Sequence, residues 1–150
     1  MSTVTKWDYR FLALADHIAM WSKDPSTKVG CVLVDSKNRI ISLGFNGPPS
    51  STLDAERPRE QRLRRTIHAE PNALHFANRD VSGCTAYVTH PPCSHCTSHL
   101  IQRGVGRIVH RVGDSEFNLR WEDDIGESLE MCKESGTQVL CVGANNDIGD

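Results

Sequence analysis

From residue 68 onward the sequence alternates between helical and strand-like patterns, and this alternation limits the possible folds more than any other feature. The segments are helix 68–78, strand 84–89, helix 93–103, strand 107–110, helix 121–135 and strand 137–142. Gly104 and Gly136 stand where two of these helices should end. Strands separated by helices need crossover connections, so the last three strands should run parallel to one another.

The first part of the chain has a different pattern. Apolar residues at helical spacing predict a helix over 7–21, and the apolar runs 29–34 and 39–45 predict an antiparallel hairpin with its turn at 36–38. Residues 46–66 contain three prolines and are predicted to form a surface loop. Together, the hairpin and the three parallel strands predict an α/β fold in which a mixed five-stranded sheet is layered between helices.

The length and composition favour one globular domain. A chain of 150 residues suits a single core, which we expect over 7–142, followed by a polar tail at 143–150. The sequence has no run of about 20 apolar residues and no clear signal peptide, so a cytoplasmic protein without membrane partners is expected. The net charge of -2 argues against a stable nucleic-acid partner, and the six cysteines are expected to be reduced thiols or metal ligands.

Two short motifs carry the chemistry, His68-Ala69-Glu70 and Pro92-Cys93-Ser94-His95-Cys96. One imidazole and two thiolates are ligands that zinc prefers, and three protein ligands with an open fourth position are typical of a catalytic site. His68, Cys93 and Cys96 are therefore the predicted metal ligands. Glu70 is not needed to hold the metal, but its carboxylate can move protons between an activated water, a ring nitrogen and a leaving group. The pattern indicates hydrolytic deamination of a nucleobase.

Both motifs are predicted at the N-termini of helices. The ring of Pro71 would clash with a helical residue four positions earlier, so its helix must begin at or after His68. In such sheets these helix ends lie at the carboxyl edges of neighbouring parallel strands, where crevices form. Unpaired backbone N–H groups at these ends also stabilise thiolates.

The residues alone leave two alternatives open. A structural zinc site, in a non-catalytic binding module, would take His95 or His99 as a fourth ligand and would not need Glu70. A tRNA-adenosine deaminase, or another nucleobase deaminase, would share the two motifs. A polynucleotide enzyme should offer aromatic platforms, whereas no aromatic residue lies between Phe45 and Phe76.

The chain resembles deoxycytidylate deaminases of the zinc-dependent cytidine deaminase superfamily over about residues 7–142. Beyond the zinc motifs, the resemblance is carried by the segments 22–25, 29–30, 44–48 and 68–73. It implies a three-layer α-β-α fold and the conversion of dCMP to dUMP, which supplies dTMP synthesis. It also implies a set of substrate-binding residues, namely Asn46, Ala69, Asn72 and Pro92.

The same resemblance implies regulation and assembly. Such enzymes are commonly homohexamers, activated by dCTP and inhibited by dTTP with a divalent cation, here expected to be Mg²⁺. The positions that match segments linked to this control are Lys23, Asp24, Gly44, Phe45, Asn46 and Gly47.

Five arginines precede the first motif, namely Arg57, Arg59, Arg62, Arg64 and Arg65. Most surface arginines in a charged segment are simply solvated. A monophosphate substrate nevertheless needs one or two fork-like donors. We hypothesise that at least one of the five screens or contacts the substrate phosphate.

Overall fold

The computed structural model describes residues 3–113 and 115–143. In chain order the elements are α1 (Lys6–Ala19), β1 (Gly30–Val34), β2 (Ile40–Phe45), α2 (Arg59–Arg65), α3 (Ala69–Phe76), β3 (Thr85–Val88), α4 (Ser94–Gln102), β4 (Arg107–Arg111), α5 (Ser115–Ser135) and β5 (Gln138–Val142). Most of the predicted tail, residues 144–150, lies outside the described residues.

The five strands form one mixed sheet in the order β2-β1-β3-β4-β5. Strand β1 runs antiparallel to both β2 and β3, while β3, β4 and β5 are parallel. The predicted hairpin and the predicted parallel half of the sheet are both confirmed.

Helices cover both faces of this sheet because its strands alternate their side chains. Along β1, Cys31 and Leu33 pack into an apolar cluster that includes residues of α3, α4 and α5. Val32 and Val34 point the other way, into a cluster with residues of α1. Since β1 is buried along its whole length, two separate cores form, one on each side of the sheet.

Two predictions of local structure are wrong. The segment 46–66 is not a continuous loop, because it contains the helix α2, which has no buried residue and therefore no apolar stripe in its sequence. Helix α5 begins at Ser115 rather than at residue 121. Leu119, in its early turns, is largely exposed.

In the described residues, no helix combines the length and the apolar character required to cross a membrane.

Candidate active site

The two motifs meet at one edge of the sheet. Because β2 and β3 both run antiparallel to β1, their carboxyl ends lie at the same edge. The expectation of neighbouring parallel strands is wrong, since β1 separates them. After β2 the chain leaves the sheet and returns at a bridge between Gly47 and Ile67, whose two backbone hydrogen bonds measure 3.1 and 2.8 Å.

This return places His68 at the N-cap of α3, as predicted from the position of Pro71. Cys93 is the N-cap residue of α4. The Nδ1 atom of His68 lies 3.2 Å from the Sγ atom of Cys96 and 3.6 Å from that of Cys93. The three ligand atoms all lie within 4.8 Å of one another.

The donor set fits a zinc ion. Bonds of about 2.1 Å to nitrogen and 2.3 Å to sulfur would hold these atoms about 3.5–3.8 Å apart at tetrahedral angles. In the described part of the chain this is the sole cluster of three or more His, Cys, Asp or Glu side chains suited to a metal, and neither His95 nor His99 belongs to it. All six cysteines are free thiols, as expected.

The electrostatics of the thiols suit a cation. A hydrogen bond from Cys96, with a further one from His68, lowers the pKa of Cys93 to about 4. The same interaction with Cys93, together with burial, raises the pKa of Cys96. Without a metal the two sulfurs therefore share one proton, which a bound dication would displace.

Glu70 lies in the first turn of α3 and is buried, with 3% of its surface exposed. Burial, reinforced by the negative charge of Cys93, raises the pKa of its carboxyl to about 7. A carboxyl with this pKa can both accept and donate a proton near neutral pH.

His68, Cys93 and Glu70 line a common cleft of about 240 Å³. One wall is the loop between α1 and β1, which contributes Asp24, Ser26 and Thr27. Ser26 and Thr27 were missed, although they lie between the segments 22–25 and 29–30 that carry the family resemblance. His90 and Ile125 also line the cleft, and the position of His90 two residues after β3 is the one signal that could have found it.

Of the predicted substrate-binding residues, Asn46 and Ala69 line this cleft, whereas Asn72 and Pro92 do not. The side chain of Asn46 ties the loop to β2: its Oδ1 accepts from the backbone N–H of Val29 at 2.9 Å, and its Nδ2 donates to the carbonyl of Thr27 at 2.9 Å. Asn72 donates to the carbonyl of Phe45 at 2.7 Å. Through its carbonyl, Pro92 accepts a bond from Ser128 at 3.2 Å.

The predicted regulatory residues are dispersed around this edge. Lys23 is exposed and forms an ion pair with Asp54 at 2.5 Å. The carboxylate of Asp24 accepts the backbone N–H groups of Ser26 and Thr27 and so shapes the loop at the cleft.

The remaining members of this set belong to β2 or follow it. Gly44 packs against the backbone of α3, and the ring of Phe45 meets Trp21 edge-on with 6.1 Å between centroids. Asn46 and Gly47 make the loop contacts and the bridge described above.

Among the five arginines, the structure brings Arg59, at the start of α2, to the cleft. The other four do not line it. The Nε atom of Arg62 is buried and has no hydrogen-bond partner.

Comparisons with known proteins agree with this geometry. Residues 5–112 match the family described as the cytidine and deoxycytidylate deaminase zinc-binding region. An uncharacterized deaminase in the luxG 3′ region of Aliivibrio fischeri is 40% identical over 138 residues, covering 91% of this chain and 93% of that protein. Deoxycytidylate deaminase of Homo sapiens is 35% identical over 113 residues, covering 69% of this chain but only 64% of the human protein.

The fold is also found in a solved structure, the dCMP deaminase of cyanophage S-TIM5 in complex with dCMP and dUMP. The two superimpose with a TM-score of 0.77 over 94% of this chain and 100% of the phage chain, at 21% identity. Fold and donor set thus define a hydrolytic deaminase with the predicted α-β-α architecture. The chain belongs to the cytidine and deoxycytidylate deaminase family.

Proposed function

We propose that this chain is a zinc-dependent dCMP deaminase, which converts dCMP and water into dUMP and ammonia. The observation that carries the proposal is that His68 and Cys93, two members of the His68–Cys93–Cys96 group, line the same cleft as the buried Glu70. The human relative is named deoxycytidylate deaminase, and the phage protein was crystallised with dCMP and dUMP. These names support dCMP as the substrate.

In the proposed reaction His68, Cys93 and Cys96 hold the ion, which when bound supplies the Lewis acidity that makes a water nucleophilic near neutral pH. Glu70 accepts one proton from the attacking water and passes it to N3 of the cytosine ring. It then carries the second proton to the exocyclic amino group. The C4–O bond has formed by then, the C4–N bond breaks, and ammonia leaves.

The rest of the cleft would bind the nucleotide. Ala69 stands between a metal ligand and Glu70, so its backbone is suited to contact the base, and Asn46 holds the loop that borders the sugar. Arg59 is our candidate for the 5′-phosphate, because a guanidinium offers paired donors that match phosphate oxygens. Asn72 and Pro92 would act indirectly, through their contacts with Phe45 and Ser128.

Regulation and assembly extend the proposal. We expect a homohexamer that dCTP activates and dTTP inhibits with Mg²⁺, with Lys23, Asp24 and residues 44–47 near the regulatory nucleotide, and a cytoplasmic location. The loop at Asp24 borders the cleft, which gives an effector a direct route to the substrate site.

The test is an ammonia-release assay of the purified protein with dCMP, CMP, dCTP, cytidine and a tRNA anticodon stem, with and without the two effectors. We expect turnover of dCMP. Glu70→Gln should keep the fold and the zinc but lower kcat by at least about 100-fold, since it removes the proton carrier. Turnover of the tRNA stem alone, or full activity of the variant, would overturn the proposal.

A further inference from the structure

A pair of histidine side chains lies on α4, outside the cleft. His95 and His99 are four residues apart, so their side chains lie on one face of the helix. Both residues are exposed, and their Nε2 atoms are 3.3 Å apart. The rings are almost perpendicular, with an interplanar angle of 80° and 4.7 Å between centroids.

This separation matches one edge of a coordination tetrahedron. Two imidazole nitrogens bound to one zinc ion at about 2.0–2.1 Å lie about 3.3–3.4 Å apart. An N–H···N hydrogen bond between the rings would also bring the nitrogens close, but it needs a proton on one Nε2 atom. A metal ion would take both lone pairs and replace that hydrogen bond.

The surroundings decide which cations fit. The pair lines a groove of about 410 Å³ between α3 and α4, together with His75 and Arg103. No Asp or Glu is found among the described residues that line it. Hard cations such as Mg²⁺ and Ca²⁺ need oxygen ligands and are not favoured here, whereas zinc, copper and nickel ions bind well to imidazole.

We propose that His95 and His99 form a second, surface-exposed binding site for a transition-metal dication such as Zn²⁺. The proposed site differs from the His68–Cys93–Cys96 group in its ligands, because neither His95 nor His99 belongs to that group. His68 and Cys96 also line the groove, so the two sites are neighbours. The proposed site is the weaker of the two. It offers two neutral ligands instead of one neutral ligand and two thiolates, and the positive charge of Arg103 lies in the same groove.

The experiment titrates the purified, zinc-containing full chain with additional Zn²⁺, and follows the histidine ring nitrogens by ¹⁵N NMR and bound zinc by elemental analysis. The Nε2 resonances of His95 and His99 should move together to the metal-coordinated range as a further zinc equivalent binds. His99→Gln should abolish both changes. His17→Gln, on the exposed face of α1, should leave them intact and serves as the matched control.

His99 is the better position for the variant, because His95 is next to the predicted ligand Cys96. If the His95 and His99 resonances stay unchanged, or if His99→Gln binds as much additional zinc as the wild type, the second site does not exist. Neither readout depends on dCMP turnover. A negative result in the zinc titration would therefore not contradict the proposed reaction, and a negative deamination assay would not contradict the second metal site.

Discussion

Gly44 in β2 and Ala73 in α3 touch backbone to backbone: a Cβ atom on Gly44 would lie 2.5 Å from the amide nitrogen of Ala73. The same Cβ would lie 2.7 Å from the carbonyl oxygen of Ala69. The absence of a side chain at Gly44 therefore sets how closely the helix that begins beside His68 and Glu70 approaches the sheet. The close packing of α3 on β2 is enough to explain the glycine at position 44, without the regulatory role that was predicted for it.

Gly44→Ala should push α3 away from β2, because the added Cβ atom would clash with the backbone of Ala69 and Ala73 in α3. We expect the free energy of unfolding to fall by about 1–3 kcal/mol, and bound zinc and activity to decrease with it. Denaturant melts and elemental analysis measure both effects. Gly126→Ala on α5 is the control, since its Cβ meets nothing within 4 Å. Equal stability of the two variants would contradict the packing argument.

Asp8, which is buried, and Arg107, which is partly buried, form an ion pair that joins α1 to β4, with bonds of 2.7 and 2.9 Å. The hydroxyl of Tyr87 also donates to Asp8 at 2.8 Å. Asp8→Asn would remove the negative charge that faces the guanidinium and weaken the charge-assisted hydrogen bonds between them, so we expect a loss of about 1.5–3 kcal/mol in unfolding free energy near pH 7. Asp123→Asn, at an exposed position of α5, should change it little.

The stability that Asp8 contributes should depend on pH. Burial alone would raise the pKa of Asp8, but the hydrogen bonds from Arg107, Thr5 and Tyr87 outweigh it and lower the pKa below its ordinary value of 3.8. The stabilisation by Asp8 is complete above pH 3.8, the ordinary pKa of the group. It is lost as the pH falls through the lower pKa of Asp8 in the folded protein. Unfolding curves of the wild type and Asp8→Asn should therefore converge in acid, and a constant difference at every pH would refute the assignment.

Arg59→Ala should raise the KM for dCMP by about tenfold, the effect of losing one charge-assisted hydrogen bond. Any turnover of deoxycytidine, which has no phosphate, should be unaffected. Arg64→Ala provides the matched control on the same helix, because Arg64 does not line the cleft. Steady-state kinetics with both substrates distinguish the two variants, and an unchanged KM for Arg59→Ala would remove this arginine from the binding site.

Cys93→Ser should release the metal, because a serine hydroxyl is not ionised near neutral pH and cannot replace a thiolate ligand. After dialysis we expect bound zinc to fall well below that of the wild type. Cys141→Ser removes an exposed thiol of β5 and should retain the full amount. Equal zinc in both variants would mean that Cys93 is not a ligand.

Patterns of local origin could be predicted well from the sequence. The hairpin, the parallel strands after residue 84 and the start of α3 next to Pro71 depend on spacing, turn residues and sterics within a few positions. Helix α2 could not be predicted because it buries no side chain, and an exposed helix has no apolar period. The position of β1 between β2 and β3 could not be predicted either, since strand order is a long-range choice.

By itself the sequence determined the donors: one imidazole, two thiols and one carboxyl, at spacings that put each motif at the beginning of a helix. Only the tertiary structure decided which other residues surround these donors in the cleft. It brought Arg59 rather than its four neighbours to the cleft, tied Asn46 to the loop at Thr27 and Val29, and left Asn72 and Pro92 outside. The physical reason is that ligand types and helix ends follow from local chemistry, whereas the lining of a cleft follows from packing between segments far apart in the chain.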